Sequence, residues 1–404
     1  MQINLSLQLQ NKIMKTQSRA IIVDMVMGTG KTTMAIQGIK ENEMPFIFVT
    51  EYLTEVDRMI KATGKLVEPV PEKGEGSKRK HLLELLKDKK NIALTHSLFK
   101  TLRLEDYSIF NGYKLIIDEV VSVVENLDIS KDDINDLIGQ NRLIIDSKNN
   151  TVTWNDDIEY SGKWNDLREE VLSGGVEIVN NSYLVWIFPV DVFKNVSEII
   201  ILTYLFEGSV LCGYFKYYDI PYRYIPDLFS DKERQKIVKL LCIYQGRANN
   251  VGNPIKRQRK RPLTSTWYKD NNNKAKIKTF VNTVNNWFAK NVKVKTANRA
   301  VSVFKDYEDM FSTRANFIPI NKRASNEFRE IAAIAYLIDY NINPTIEQFF
   351  LQKDIKIDKD LFSLSGMIQL LWRGCIRDDK KMDVFIPSFR MRNLLYKWLM
   401  IQGK

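Results

Sequence analysis

The sequence predicts an α/β fold built from doubly wound parallel sheets and divided into two domains. Three observations predict it. Short apolar runs alternate with longer amphipathic stretches along the first half. Those runs are continuous rather than two-periodic, as expected where helices cover both faces of a parallel sheet. The 404 residues also exceed what one hydrophobic core usually supports.

Taken in chain order, residues 20–23, 46–50, 91–95, 114–117 and 198–203 read as buried strands. Residues 32–40, 53–62 and 80–87 read as the helices between them, and 68–80, rich in Gly, Pro and Lys, as a surface loop. Residues 125–180 break the rhythm. They hold 13 acidic and 5 basic residues, and a hairpin candidate (142–146 and 151–154) around Lys148-Asn149-Asn150. This segment reads as an insertion in a first domain spanning 1–210. A second α/β domain is expected over 211–404, with strands at 237–243, 300–304 and 316–320. Its helices are expected near 274–290, 327–337, 364–376 and 388–400.

Composition excludes several classes. With 44% apolar and 27% charged residues the chain is neither disordered nor collagen-like. Its longest apolar runs fall short of the ~20 residues a membrane span requires. The first 15 residues lack the apolar core of a secretory signal. Cys212, Cys242 and Cys375 form neither a disulfide framework nor a metal knuckle, and His81 and His96 have no Cys or His nearby. A reducing cytoplasm is expected.

The net charge of +11 is unevenly spread. Residues 1–210 carry 24 Lys and Arg against 31 Asp and Glu, whereas 211–404 carry 36 against 18. Residues 251–300 hold 13 basic residues and one acidic residue, Asp270. The densest run is Lys256, Arg257, Gln258, Arg259, Lys260 and Arg261. Such an excess attracts polyanions, and nucleic-acid phosphates are the commonest partner. The hexamer alone reads equally as a solvated loop. Trp267, Tyr268 and Trp287 follow it, suited to stacking on bases or to packing in a core.

The chemistry begins at Gly28-Thr29-Gly30-Lys31-Thr32-Thr33, directly after the first strand and opening a helix. Glycines let the loop curl so that several N–H groups face one phosphate chain, and the helix N-terminus adds partial positive charge. Lys31 is placed to reach the β- and γ-phosphates of ATP, and the Thr32 hydroxyl to ligate Mg²⁺. The pattern G-x-x-x-x-G-K-[ST] asks for glycine at position 25, where this chain has Met25. Further on, Lys114-Leu115-Ile116-Ile117 leads into Asp118 and Glu119. Asp118 suits Mg²⁺ held through water, and Glu119 suits orienting and deprotonating an attacking water.

With these residues in place the chain resembles the superfamily-2 helicases of the DEAD/DEAH-like group, in a phage-type form. Asp118-Glu119-Val120-Val121 resembles their second motif. The strand at 46–50 followed by Leu53-Thr54 resembles motif Ia, Thr95-His96-Ser97 motif Ib, and Leu202-Thr203-Tyr204-Leu205-Phe206-Glu207-Gly208 motif III. Asn321-Lys322-Arg323-Ala324-Ser325-Asn326-Glu327 is similar to the motif V run of phage-type members, and residues 369–377 resemble motif VI. The resemblance implies two RecA-like domains with ATP and Mg²⁺ in the cleft between them. It implies nucleic-acid contact or coupling by Thr54, Thr95, Thr203, Asn321, Arg323 and Asn326, although the last three equally suit capping the helix expected near Glu327. It further implies a helicase or translocase acting on nucleic acid, DNA before RNA. Such an enzyme would serve phage-type replication in a host cytoplasm, with replication proteins as further partners.

The motif VI segment also has a reading of its own. Gln369, Arg373 and Arg377 are spaced i, i+4, i+8, which on a helix aligns them along one face. Two guanidinium groups there suit negative charge developing on a transferred phosphoryl group. A surface helix with scattered arginines has the same pattern. Two other functions remain open from sequence: a P-loop phosphotransferase acting on a small molecule, and a nucleic-acid-binding protein with a degenerate nucleotide site.

Overall fold

A computed structural model describes residues 19–400 except 156, 158–159, 161, 228–229, 255–260, 312–313 and 321–327. The predicted apolar runs of the first half become β1 (Ala20–Asp24), β2 (Phe46–Thr50), β3 (Ile92–Thr95) and β4 (Lys114–Asp118). Between them run α1 (Lys31–Glu41), α2 (Leu53–Thr63) and α3 (Lys78–Lys87), and α4 (His96–Phe99) adds one turn after β3. β2 is buried at all five positions, which is why its sequence is apolar without alternation.

The acidic insertion then folds around its own core. It contains β5 (Val124–Asn126), α5 (Lys131–Gly139), β6 (Leu143–Ile145), β7 (Val152–Trp154), α6 (Asn165–Leu172), β8 (Val176–Val179) and β9 (Tyr183–Ile187). β6 and β7 form the predicted hairpin, with Leu143 opposite Trp154. β5, β9 and β8 make a small antiparallel sheet that the sequence did not announce. Leu137, Leu143, Val152, Trp154, Leu167 and Val171 pack beneath these pieces, so the carboxylates are left to the surface.

The chain returns to the first sheet through α7 (Val190–Asn195), β10 (Glu198–Thr203), α8 (Val210–Tyr217) and β11 (Tyr222–Tyr224). The six-stranded sheet has the order β11-β1-β10-β4-β2-β3 and every pair is parallel. The first compact unit continues to Asp227 and takes back Asn343–Asp358. Residues 211–227, assigned by composition to the second half, therefore belong to the first. β11 pairs with β1, and Gly213 on α8 leaves room for Phe350 and Ile357 to pack against the helix backbone.

The second unit contains Val26–Thr29, Leu228–Ile342 and Lys359–Lys404. Its described elements are α9 (Ser230–Leu240), β12 (Leu241–Ile243), α10 (Lys274–Lys290), β13 (Arg299–Ser302), β14 (Asn316–Phe317) and β15 (Ala333–Tyr336). After α11 (Pro344–Leu351), which belongs to the first unit, come α12 (Lys359–Trp372), β16 (Met382–Phe385) and α13 (Phe389–Met400). The sheet order is β12-β16-β15-β13-β14, again all parallel. The fold is thus two Rossmann- or RecA-like sheets. Two sequence expectations fail here. Residues 237–240 end a helix rather than begin a strand, and 333–336 form a central strand where a helix was expected. The alanines of β15 favour a helix, but burial of all four residues between β13 and β16 decides for strand.

Candidate functional site

Gly28 and Gly30 have φ of 86° and 89°, in the left-handed region that favours glycine, and they bend the chain between β1 and α1. Gly30 occupies the N-cap of α1 without a side-chain cap, and the first turn, Lys31-Thr32-Thr33, carries no acidic residue. Its amides are therefore open to an anion. Thr29 Oγ1 donates to the Val26 carbonyl (2.9 Å). Met25, at the position where the phosphate-loop pattern asks for glycine, is fully buried in the apolar cluster of the first sheet. Its carbonyl accepts the Lys31 ammonium at 2.6 Å.

Lys31 is 8% exposed, and burial lowers its pKa against the opposing pull of Glu119, Asp118, Asp24 and Asp227. Burial, with Glu119 adjacent, pushes the Asp118 carboxyl up to about 7, while Lys31 pulls it down. Glu119 stands at φ 65° and its N–H donates to Leu202 O (2.8 Å). A non-glycine residue in this region is strained by about 1–3 kcal/mol. Asp118, Glu119 and the Lys31 ammonium thus converge where burial penalises the Asp118 anion and the Lys31 cation. A divalent cation at Asp118 and Thr32 and a phosphate at Lys31 would relieve both penalties, so these residues fit ATP and Mg²⁺.

Strand register explains the convergence. Asp24 lies beside Thr203, Asp118 beside Leu202, and Thr50 beside Thr95, so all the strand-end candidates of the first domain share the carboxyl edge of one sheet. Thr54 is exposed in the first turn of α2. Thr95 caps α4 by accepting Leu98 N–H (3.3 Å). Thr203 is 1% exposed and its carbonyl accepts Met25 N–H (3.1 Å), which suits coupling and prevents direct contact with a strand of nucleic acid. Asp24 went unrecognised in the sequence. Its carboxylate accepts Leu205 N–H (2.6 Å) and Phe206 N–H (3.0 Å). The signal that could have found it was an acidic residue ending an otherwise apolar strand at the glycine loop.

The helical alignment of Gln369, Arg373 and Arg377 does not hold. α12 stops at Trp372, and Gly374 turns the chain where a Cβ would strike Met382 and the Ile331 carbonyl. Gln369 lies on α12 and donates to Ser365 Oγ (3.3 Å). Arg373 is buried just beyond the helix, and Arg377 is exposed in a separate 3₁₀ turn, Cys375–Asp378. The two arginines therefore stand in different environments.

Among the basic candidates, Lys256, Arg257, Arg259 and Lys260 lie outside the described residues, as do Asn321, Arg323 and Asn326. Arg261 is exposed and donates to Asn341 Oδ1 (3.0 Å). Trp267, Tyr268 and Trp287 are all in the apolar core of the second unit, so none is free to stack on a base. Exposed Lys274, Lys276 and Lys278 crowd the start of α10 instead. Among the described residues no three His, Cys, Asp or Glu side chains form a metal-binding group, and no helix is long and apolar enough to cross a membrane.

Residues 235–399 match the family described as the YonV C-terminal Rossmann-like domain, and residues 124–186 match the YonV middle domain, which is the acidic insertion. Over 417 aligned positions the chain is 32% identical to the SPbeta prophage-derived uncharacterized protein YonV of Bacillus subtilis (strain 168). That alignment covers 94% of this chain and 98% of the relative. The fold is similar to the solved structure of S. tokodaii Xpd4, with a TM-score of 0.51 at 12% identity, over 98% of this chain and 96% of that one.

Proposed function

The chain belongs to the YonV family, and from that premise we propose that it is a nucleic-acid-stimulated ATPase of the superfamily-2 helicase or translocase type. One observation carries the proposal. A buried lysine, held by the main-chain carbonyl that follows β1, faces two carboxylates at the end of β4, the strand on the other side of β10. The two parallel-sheet domains and the likeness to Xpd4 support the fold that this function requires.

In this proposal Gly28, Gly30 and the first amides of α1 cradle the phosphates of ATP, with Lys31 neutralising their charge. Thr32 and Asp118 hold Mg²⁺, which would supply charge stabilisation on the phosphoryl oxygens. Glu119 accepts a proton from water, and Arg373 or Arg377 stabilises negative charge on the transferred group. The lysine-rich second half grips the phosphates of a nucleic acid, DNA in the proposal, with affinity that falls steeply with salt. The prophage origin of the YonV relative supports a role in the DNA metabolism of a phage-like element, inside its host's cytoplasm.

The deciding experiment measures ATP turnover with no polymer, single-stranded DNA, RNA and duplex, beside Lys31→Ala and Arg373→Ala. Stimulation by a polymer is expected, together with at least a roughly hundredfold loss in Lys31→Ala. Turnover that ignores every polymer would instead point to a small-molecule phosphotransferase. Binding of DNA without turnover would point to a degenerate nucleotide site.

A further inference from the structure

We propose that Asp24 is a positioning residue that transmits nucleotide occupancy from the phosphate loop to the turn after β10. The inference rests on the nucleotide-binding role proposed above and extends it to a residue that no motif assigns.

Asp24 ends β1, one residue before the carbonyl that holds Lys31. Its two carboxylate oxygens take two successive amides of the 203–209 turn, Oδ1 from Leu205 at 2.6 Å and Oδ2 from Phe206 at 3.0 Å. Charge-assisted bonds of this kind are roughly twice as strong as neutral ones. The next residue of the loop joins in, because Met25 N–H donates to Thr203 O. Leu205 sits at φ 58°, so the turn is held in a conformation that a leucine would otherwise avoid.

The same turn is anchored on its far side. Glu207 accepts Tyr224 OH (2.7 Å), Tyr222 OH (3.0 Å) and Lys216 Nζ (2.7 Å), which ties it to β11 and α8. β11 and β10 are the two neighbours of β1, so the turn spans the strand that leads into the phosphate loop. Lys31 also bears on Asp24. Burial disfavours the Asp24 charge, the two amides favour it, Lys31 adds to them, and Asp227 opposes them. A lysine that leaves the Met25 carbonyl for a phosphate changes the field on the carboxylate that holds the turn. Asp24 reaches no phosphate itself; it acts through the amides it fixes.

The test is hydrogen exchange of amides 204–208 in the full chain, with and without Mg²⁺-ADP, for wild type and Asp24→Asn. Asparagine keeps the size and one acceptor but turns an NH₂ toward an amide donor. In wild type, Mg²⁺-ADP is expected to change exchange in this turn by about threefold or more. In Asp24→Asn the nucleotide-free exchange should rise about tenfold and the response to Mg²⁺-ADP should vanish. ADP affinity, read by calorimetry, should stay within about threefold of wild type, because only a positioning role separates the two readouts. A response of equal size in Asp24→Asn overturns the proposal. So does a parallel loss of ADP binding, which would make Asp24 a binding residue. Should the variant not fold, wild type still decides, since ADP binding with no change in the turn refutes the coupling. Failure of wild type to bind ADP at all refutes the nucleotide site and this extension together.

Discussion

Asp118 closes β4 with Glu119 beside it and Lys31 opposite, and burial holds its carboxyl near 7 instead of 3.8. Mg²⁺ competes with the proton on such a group, so metal affinity should rise with pH until the group is fully ionised. Between about pH 6 and pH 8 the apparent affinity for Mg²⁺ in the presence of ADP should increase about tenfold, measured by calorimetry, and Asp118→Asn should flatten that dependence. Stability runs the other way. A carboxyl raised in the folded state binds its proton more tightly there than in the unfolded chain, so its contribution falls as pH climbs from about 4 to 7. Asp118→Asn should therefore melt several degrees above wild type at about pH 8, with the gap shrinking as pH falls and closing near pH 4. The residue pair Asp118-Glu119 was legible in the sequence as two carboxylates after an apolar run. The left-handed Glu119 and the burial that shifts Asp118 were not, because both follow from neighbouring strands far away along the chain.

At the scale of elements, α10 opens with Lys274, Lys276 and Lys278 and no acidic residue in its first turn. Positive side chains there oppose the helix dipole. Replacing Lys274 and Lys276 by Glu should stabilise the second domain by about 0.3–1 kcal/mol each. If these lysines grip phosphates, single-stranded DNA binding should weaken and its salt slope fall by about 0.7 for each phosphate no longer neutralised, read by fluorescence anisotropy across a salt series. Gain of stability with unchanged binding would remove α10 from the nucleic-acid surface. A second element, α11, is followed by Lys353, whose ammonium reaches Glu177 of β8 at 2.8 Å with both side chains mostly buried. Lys353→Met should cost about 1–3 kcal/mol in urea unfolding, because it leaves the half-buried Glu177 carboxylate without its ammonium partner. The helix α10 matched its sequence expectation to the residue, since its apolar positions repeat every three or four residues toward one core. β15 did not, since a run of Ala, Ile and Tyr carries no period that separates a buried strand from a helix.

At the scale of the whole molecule, the parallel sheet of each compact unit has an apolar core of its own. One gathers Ile21, Phe46, Phe48 and Met59 around the first sheet, the other Trp267, Phe280, Trp287 and Phe385 around the second. Calorimetry should resolve two unfolding transitions. Phe48→Ala and Trp287→Ala, each costing about 3–5 kcal/mol, should each lower a different one. A single transition lowered by either substitution would show that the two units unfold as one. The charge asymmetry between halves was readable from the sequence because charge is a sum over residues. The return of Asn343–Asp358 to the first unit was not, because it depends on Gly213 accepting Phe350 and Ile357, and on the Lys353–Glu177 pair.

The sequence alone determined the alternation of strands and helices, the glycine turn with its lysine, and the carboxylate pair. Each of these is written in a short window, as apolar runs, glycines that tolerate positive φ, or adjacent charges. Only the tertiary structure decided where α12 ends, which aromatic residues are buried, and that Asp24 clamps a turn nearly two hundred residues away. Those outcomes are meetings of distant segments, and they exist only once the sheet has brought its strand ends to a common edge.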